Sequence, residues 1–267
     1  MRLSALFRPP RRFLVSNMDT LAPLIVRLRL QSLPGYGACT FPYRAGQFAF
    51  VRVGAPGLSR RYRSLTMVSS PESGDAVSFM VGASDDWSLG LVDAAEIFPG
   101  SDARNPWAAD IIGPCGRFTL EDRMPAGCES GPLVFLAEGL GVAPFLSMAL
   151  TLAARGEHRR VLILWAARTR QELACLDDLI ALTQANPSIS TIPILSHDPL
   201  WNGRRGTLDR ATLTELVGPE LADSRSTFWI GAAGALTASV RRALGELGIP
   251  RRRIRYQPSF LQEEDVV

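Results

Sequence analysis

The stretch Leu133-Val134-Phe135-Leu136-Ala137-Glu138-Gly139-Leu140-Gly141-Val142-Ala143-Pro144-Phe145-Leu146-Ser147-Met148-Ala149-Leu150-Thr151-Leu152 decides the fold. A short apolar run meets a glycine turn, and an apolar helical pattern follows. The order reads as strand, turn, helix. Pro144 fits the first helical position, where its missing N–H costs nothing and its fixed φ suits the helix. The glycines allow another group to approach the backbone closely. The free N–H groups and positive dipole end of a helix start favour an anion such as a pyrophosphate. A Gly-x-Gly turn also closes ordinary strand–helix connections, so this turn alone leaves both readings open.

Outward from that stretch, the same pattern repeats. Strands are expected at Leu133–Ala137, Arg160–Ala166, Thr191–Leu195 and Thr227–Ile230. Helices are expected at Ala143–Arg155, Glu172–Asn186, Arg210–Val217 and Leu236–Leu247. Alternating strand and helix is the pattern of a parallel sheet wound with helices, which binds ligands beyond the carboxyl ends of its strands. Phe228-Trp229-Ile230-Gly231-Ala232-Ala233-Gly234 is a second strand running into a small-residue turn. Gly231 and Ala232 leave room there for a flat ligand. Gly248-Ile249-Pro250-Arg251-Arg252-Arg253-Ile254 ends the last helix and resumes as a strand.

The preceding half has a different pattern. Leu24–Leu30, Phe48–Val53 and Val77–Val81 read as short strands. Gly/Pro turns lie at Leu33-Pro34-Gly35, Ala55-Pro56-Gly57 and Ser70–Gly74. The expected architecture has two domains: an N-terminal antiparallel β-barrel, then a C-terminal α/β domain of Rossmann-like parallel-sheet form. The expected boundaries are a tail at 1–11, the barrel at 12–126, the α/β domain at 127–260 and a second tail at 261–267. Arg8-Pro9-Pro10-Arg11-Arg12 reads as a loose or edge-packed start.

Composition excludes several classes. The chain has 267 residues, 46% hydrophobic and 21% charged, which suits a folded protein. A net charge of +3 gives no sign of nucleic-acid binding. Every cationic side chain is arginine, with no lysine, as expected of a GC-rich, bacterial genome. Arginines cluster at Arg11-Arg12, Arg60-Arg61-Arg63, Arg204-Arg205 and Arg251-Arg252-Arg253, either as a solvated face or as a docking surface for an acidic partner. Cys39, Cys115, Cys128 and Cys175 form no C-x-x-C, so no metal is expected and free thiols in a reducing cytoplasm are. No apolar run reaches membrane-spanning length, and the N-terminus lacks a signal-peptide core. His158 and His197 read as surface histidines.

In the β half, Arg63-Ser64-Leu65-Thr66-Met67-Val68-Ser69-Ser70-Pro71 combines an arginine with hydroxyls. A guanidinium can hold a phosphate bidentately. In an extended segment Arg63 and Leu65 share one face, Ser64 and Thr66 the other. A plain barrel strand with polar ends reads the same way. Ile111-Ile112-Gly113-Pro114-Cys115-Gly116-Arg117-Phe118 ends the half on a tight-turn signal.

These motifs, in this order, resemble the ferredoxin–NADP(H) reductase superfamily over roughly Phe13 to Phe260. Its flavin motif Arg-x-Tyr-Ser/Thr followed by Ser-x-Pro resembles Arg63–Thr66 and Ser69–Pro71. Gly46-Gln47-Phe48 and Gly113–Phe118 are similar to two further family signatures. Gly139–Pro144 resembles the nicotinamide motif Gly-Thr-Gly-Ile-Ala-Pro. Ala167-Arg168-Thr169 resembles the family's strand end, and Gly231–Leu236 its Cys-Gly-Pro turn.

The resemblance implies FAD and either NADPH or NADH as cofactors. It places Arg63 on the pyrophosphate, Thr66 near the flavin N5 and Leu65 against the ring, with Ser64 beside them. Met80 and Val81 contact the flavin through backbone. Ser88 opens a helix for the second phosphate, and Trp87 packs or stacks beside it. Gly139, Leu140, Gly141, Val142 and Pro144 receive the dinucleotide, with Arg168, Thr169 and Ala232 around it. Thr66, Gly231 and Gln257 are the catalytic candidates. NADP-dependent members often carry Ser-Arg after the third strand. Here it is Ser196-His197, with Arg204, Arg205 and Arg210 close enough in sequence to take a 2′-phosphate.

Four departures stand out. Leu65 replaces the stacking tyrosine, Leu140 the threonine, Gly231 the cysteine near the nicotinamide, and Gln257 a frequent glutamate. The implied activity is hydride transfer from NAD(P)H to FAD, with electrons passed to a separate acceptor. That acceptor is a ferredoxin, a flavodoxin-like protein, an oxygenase component or a ferric or other small acceptor. The resemblance extends to the cytoplasmic half of ferric-reductase-type flavoproteins. The alternative is a non-catalytic or weakly reducible flavin-binding regulatory subunit. A cytoplasmic monomer is the expected state.

Overall fold

A computed structural model describes residues 9–32, 41–98, 100, 107–122 and 124–257. The turn at Leu33-Pro34-Gly35, Cys39 and the segment Pro258–Phe260 lie outside the described residues. The chain divides into two units between Leu120 and Glu121.

The first unit is an antiparallel sheet of β1 (Arg11–Ala22), β2 (Ile25–Ser32), β3 (Phe48–Gly54), β4 (Arg63–Thr66), β5 (Ala76–Gly82) and β6 (Ala108–Cys115), with one helix, α1 (Asp86–Glu96). The strand order is β4-β3-β6-β1-β2-β5. A bridge between Met67 and Phe79, and a 2.8 Å bond from Val68 N–H to Ser78 O, join the two outer strands and close the sheet into a barrel. Closure removes the exposed edges that an open sheet would present. Val26, Leu28 and Leu30 alternate inward on β2, meeting Val15, Val51 and Phe79 in the barrel core.

Two strands escape the sequence reading. β1 carries an irregularity between Val15 and Asn17, so Phe13 and Val15 face the core and then Met18 does, out of phase. The bulge breaks the two-residue period that marks a strand. Arg11 and Arg12 are not an edge-packed start: they pair with Ile111 and Asp110, on a strand flanked by β6 and β2. Gly113-Pro114-Cys115 is likewise no turn but the end of β6. The register shift between Phe48 and Phe50 of β3 lies opposite this segment. A proline enters a strand interior at such a bulge, where no ladder donor is required.

The second unit is a parallel sheet of β7 (Leu133–Glu138), β8 (Val161–Ala167), β9 (Ile189–Leu195), β10 (Arg204–Arg205), β11 (Thr227–Gly231) and β12 (Ile254–Tyr256). Its helices are α2 (Ala143–Ala154), α3 (Leu176–Ala185), α4 (Arg210–Leu216), α5 (Gly218–Ala222) and α6 (Gly234–Glu246). The order β10-β9-β8-β7-β11-β12 runs outward in both directions from β7. The chain's direction across the sheet therefore reverses between β7 and β11. Both faces of β7 are covered: Phe135 stacks on Phe145 of α2 at 4.5 Å, while Val134 and Leu136 meet Ile230, Val240 and Leu244. Such two-sided burial gives the unbroken apolar runs seen in the sequence.

The helix expected at Glu172–Asn186 is shorter. Arg170–Glu172 forms a 3-10 turn, and α3 starts only at Leu176. Leu173 and Cys175 are buried in the intervening segment, so their apolar pattern reflects packing rather than helix. Pro144 takes the second position of α2 rather than the first, because a 3-10 turn over Gly139–Val142 precedes Ala143.

Asp209 caps α4. Its Oδ1 accepts from Thr212 N–H at 2.8 Å, and this hydrogen bond holds the carboxyl below the usual carboxylate range. A folded-state value below the unfolded one stabilises above the unfolded value, about pH 4, and the gain is lost as pH falls through the folded value. Asp209→Ala is expected to cost about 1 kcal/mol at neutral pH. In urea titrations the difference from the parent protein should shrink below about pH 3.

Candidate functional site

In the first unit, β4 and β5 form no ladder pairs beyond the Met67–Phe79 bridge. Arg63–Thr66 and Met80–Gly82 therefore line the two sides of a slot. β4 pairs with β3 alone, Phe48 opposite Thr66 and Val51 opposite Arg63, so its other edge faces the slot. Leu65 is buried in the barrel core, whereas Ser64 and Thr66 are half-buried. Met80 and Val81 are buried on β5, paired to β2.

The far end of the slot is closed by charge. Arg63 Nη2 lies 2.8 Å from Asp85 Oδ2, and its guanidinium lies 5.7 Å from the centre of the Trp87 ring. Trp87 and Ser88 are buried in the first turn of α1. Asp85 caps that helix: its Oδ1 accepts from Ser88 N–H at 2.8 Å and from Ser88 Oγ at 2.6 Å. Burial alone would raise the Asp85 pKa. The bonds from Ser88 and the charge of Arg63 outweigh it and hold the carboxyl below its ordinary value. A carboxylate thus stands where a guanidinium and a helix amino terminus converge, a position suited to an anion. The same donors would suit a phosphate of a flavin. Asp85 was missed in the sequence, although Asp-x-x-Ser is itself a capping signature.

In the second unit, the turns after β7 and β11 meet at the carboxyl edge, where the sheet's order reverses. A Cβ on Gly141 would lie 1.9 Å from Gly231 O, and one on Gly231 would lie 2.2 Å from Gly141 O. The two turns are in backbone contact, so only glycine fits either position. Gly231, expected as a catalytic residue, is buried as part of this contact. Trp165 Nε1 donates to Gly139 O at 2.8 Å and fixes the start of the 3-10 turn. Neither α2 nor α6 has a side-chain cap; α2 instead continues from the 3-10 turn, with Ala143 N–H donating to Leu140 O. Small residues at both turns leave room for a dinucleotide's backbone. Leu140 and Ala232 are half-buried beside these turns, and Val142 and Pro144 are buried beneath them. Gln257 continues from β12, its N–H donating to Ile230 O at 3.0 Å.

The basic residues expected at this edge are engaged. Arg204 pairs with both Glu215 oxygens. Arg205 donates to Pro199 O at 2.7 Å and to Trp201 O. Arg168 Nε donates to Glu172 at 2.8 Å, and Arg210 lies 3.7 Å from Glu246. Thr169 precedes the 3-10 turn at Arg170. Beyond β9, Ser196 Oγ and His197 Nδ1 are 2.7 Å apart, and the Asp198 carboxylate accepts from Arg170 N–H and Leu200 N–H. Asp198 and Glu215 had no signal in the sequence, since their partners lie on other elements. A cavity of about 990 Å³ lies at the opposite edge, lined by Met124, Glu129, Arg251 and Arg252 among others, away from the carboxyl ends.

Residues 135–238 match the oxidoreductase NAD-binding domain. The chain is 27% identical to ferredoxin–NADP reductase B of Sorangium cellulosum, covering 88% of this chain and 91% of that protein. The matched domain and this relative support a likeness to the ferredoxin–NADP(H) reductase superfamily.

The chain is also 29% identical to the reductase component of phenol 2-monooxygenase from Pseudomonas sp. strain CF600, over 78% of this chain but only 54% of the relative. It thus spans about half the length of that protein. The fold recurs in the flavohem-like FAD/NAD-binding domain of nitric oxide dioxygenase from Vibrio cholerae. That structure matches with a TM-score of 0.75 at 20% identity, covering 94% of this chain and 98% of the other. Among the described residues no helix is long and apolar enough to cross a membrane, and no group of side chains is arranged to hold a metal ion.

Proposed function

We propose that this chain is an FAD-dependent NAD(P)H reductase that passes electrons to a separate protein acceptor. The observation that carries the reading is the glycine turn Gly139–Pro144 at the reversal point of the parallel sheet. That turn lies inside the segment matching the oxidoreductase NAD-binding domain. Bound FAD supplies the chemistry, taking a hydride and releasing electrons singly or in pairs. The protein's part is orientation. Arg63 holds phosphate at the far end of the slot. Ser64 and Thr66 offer hydroxyls along β4, with Thr66 placed for the ring's reactive edge. Leu65 backs the strand from the core, and the Met80 and Val81 backbone lines the other side. The α2 amino end and the Gly231-Ala232 turn hold the dinucleotide.

NADH is the favoured donor. A 2′-phosphate needs an available cation, and Arg168, Arg204, Arg205 and Arg210 are held by carboxylates or loop carbonyls. Asp198 instead presents a carboxylate near the end of β9, suited to a ribose hydroxyl and repellent to phosphate. Exposed Arg60 and Arg61, just before β4, suit an acidic acceptor such as a ferredoxin, a flavodoxin-like protein or an oxygenase component.

The test is anaerobic reduction of the FAD-reconstituted protein. NADH is expected to bleach the flavin absorbance, and NADPH to do so at least tenfold less efficiently. Bound FAD that stays oxidised with both donors would instead mark a regulatory subunit.

A further inference from the structure

The flavin reading assigns Arg63 to a phosphate, yet Arg63 already holds an anion belonging to the protein. Its 2.8 Å contact with Asp85 spans from the first residue of β4 to the cap of α1, at the far end of the slot. The carboxylate is anchored from the other side as well, by Ser88 N–H and Ser88 Oγ. Ser88 Oγ in turn accepts from the N–H groups of Ser84 and Asp85 at 2.8 and 3.0 Å. The capping bonds do not require a charge, because asparagine caps a helix as well as aspartate does. The negative charge beside Arg63 is therefore not explained by capping.

We propose that Asp85 is an internal competitor for the flavin's phosphate, so that the protein binds its flavin reversibly, as an exchangeable ligand. The inference rests on the flavin reading of β4 and α1. A phosphate approaching Arg63 meets a like charge already bonded to the same guanidinium. Either the carboxylate turns out to solvent, which its 39% side-chain exposure permits, or it stays and repels the newcomer. In both cases much of the phosphate contact's favourable free energy is offset. The isoalloxazine ring carries no phosphate, and its binding is untouched.

Dissociation constants for riboflavin, FMN and FAD, read by quenching of flavin fluorescence, test this on the parent protein and Asp85→Asn. This substitution keeps the cap and removes the charge. FMN and FAD are expected to bind roughly tenfold more tightly to the variant, the size of one charge-assisted contact regained. Riboflavin binding should stay within twofold. Should Asp85→Asn not fold, as read by circular dichroism, Asp85→Ser retains a capping hydroxyl and is expected to shift the constants the same way. Flavin phosphates that bind the variants no better than the parent, or a gain shared equally by riboflavin, would overturn the inference and leave the flavin reading intact. Failure of every protein to bind any of the three flavins would overturn both.

Discussion

Gly141→Ala is expected to unfold the α/β unit at a temperature roughly 10 °C below the parent, or to prevent its folding. The added methyl would lie 1.9 Å from Gly231 O and 2.5 Å from the carbonyl carbon behind it. Both are backbone atoms, at the end of a buried strand paired to β7. No rotamer change relieves the contact. The turn after β7 or the one after β11 must move, and Phe145 packs against the same place, 2.9 Å from a Cβ on Gly231. Overpacking of this kind costs about 3 kcal/mol, or roughly 10 °C for a unit of this size. Scanning calorimetry separates the effect from a general loss of glycine. Gly245→Ala, on α6 with nothing near its Cβ, should gain up to about 1 kcal/mol from helix propensity. Gly231→Cys, which restores the family's residue, should behave like Gly141→Ala. Equal stability of Gly141→Ala and the parent would mean that the two turns are not in contact.

Arg63→Ala is expected to weaken FAD binding by roughly 10- to 100-fold, with little change for riboflavin. On the proposed reading the guanidinium would make a charge-assisted contact of about 1.5–3 kcal/mol with a phosphate. Its removal also leaves Asp85 facing that phosphate without a counter-charge. The loss of binding should exceed the loss of stability. Asp85 keeps its bonds to Ser88 and is 39% exposed, whereas the Arg63 side chain is 14% exposed, so stability should fall by about 1 kcal/mol. Arg63→Lys restores charge but not the planar fork, and should recover the affinity only in part. Fluorescence titration with the three flavins reads all of this. FAD affinity unchanged in Arg63→Ala would place the phosphate elsewhere.

Much of the architecture was legible because it is written in short periods. Val26, Leu28 and Leu30 announce a strand that is half in a core. Leu133–Ala137 running into Gly139–Pro144 announces a strand, turn and helix. Where a local irregularity intervened, the period failed: at the bulge in β1, at Gly113-Pro114 in β6, and at Leu173–Cys175, whose burial imitates a helix. Trp165, Asp198 and Glu215 carried no signal, because what they do depends on a carbonyl, an amide or a guanidinium elsewhere in the chain.

The sequence by itself determined the two patterns of alternation, the glycine turn and the arginine that opens β4. It thereby determined a barrel, a parallel sheet and a family resemblance. Only the tertiary structure decided that β7 and β11 are neighbours, so that Gly141 and Gly231 must both lack a side chain. Only it decided that Asp85 reaches Arg63, and that the edge arginines are already paired. The reason is physical. Periodicity and turn chemistry act between residues a few positions apart, whereas strand order and ion pairing depend on which distant segments the folded cores bring together.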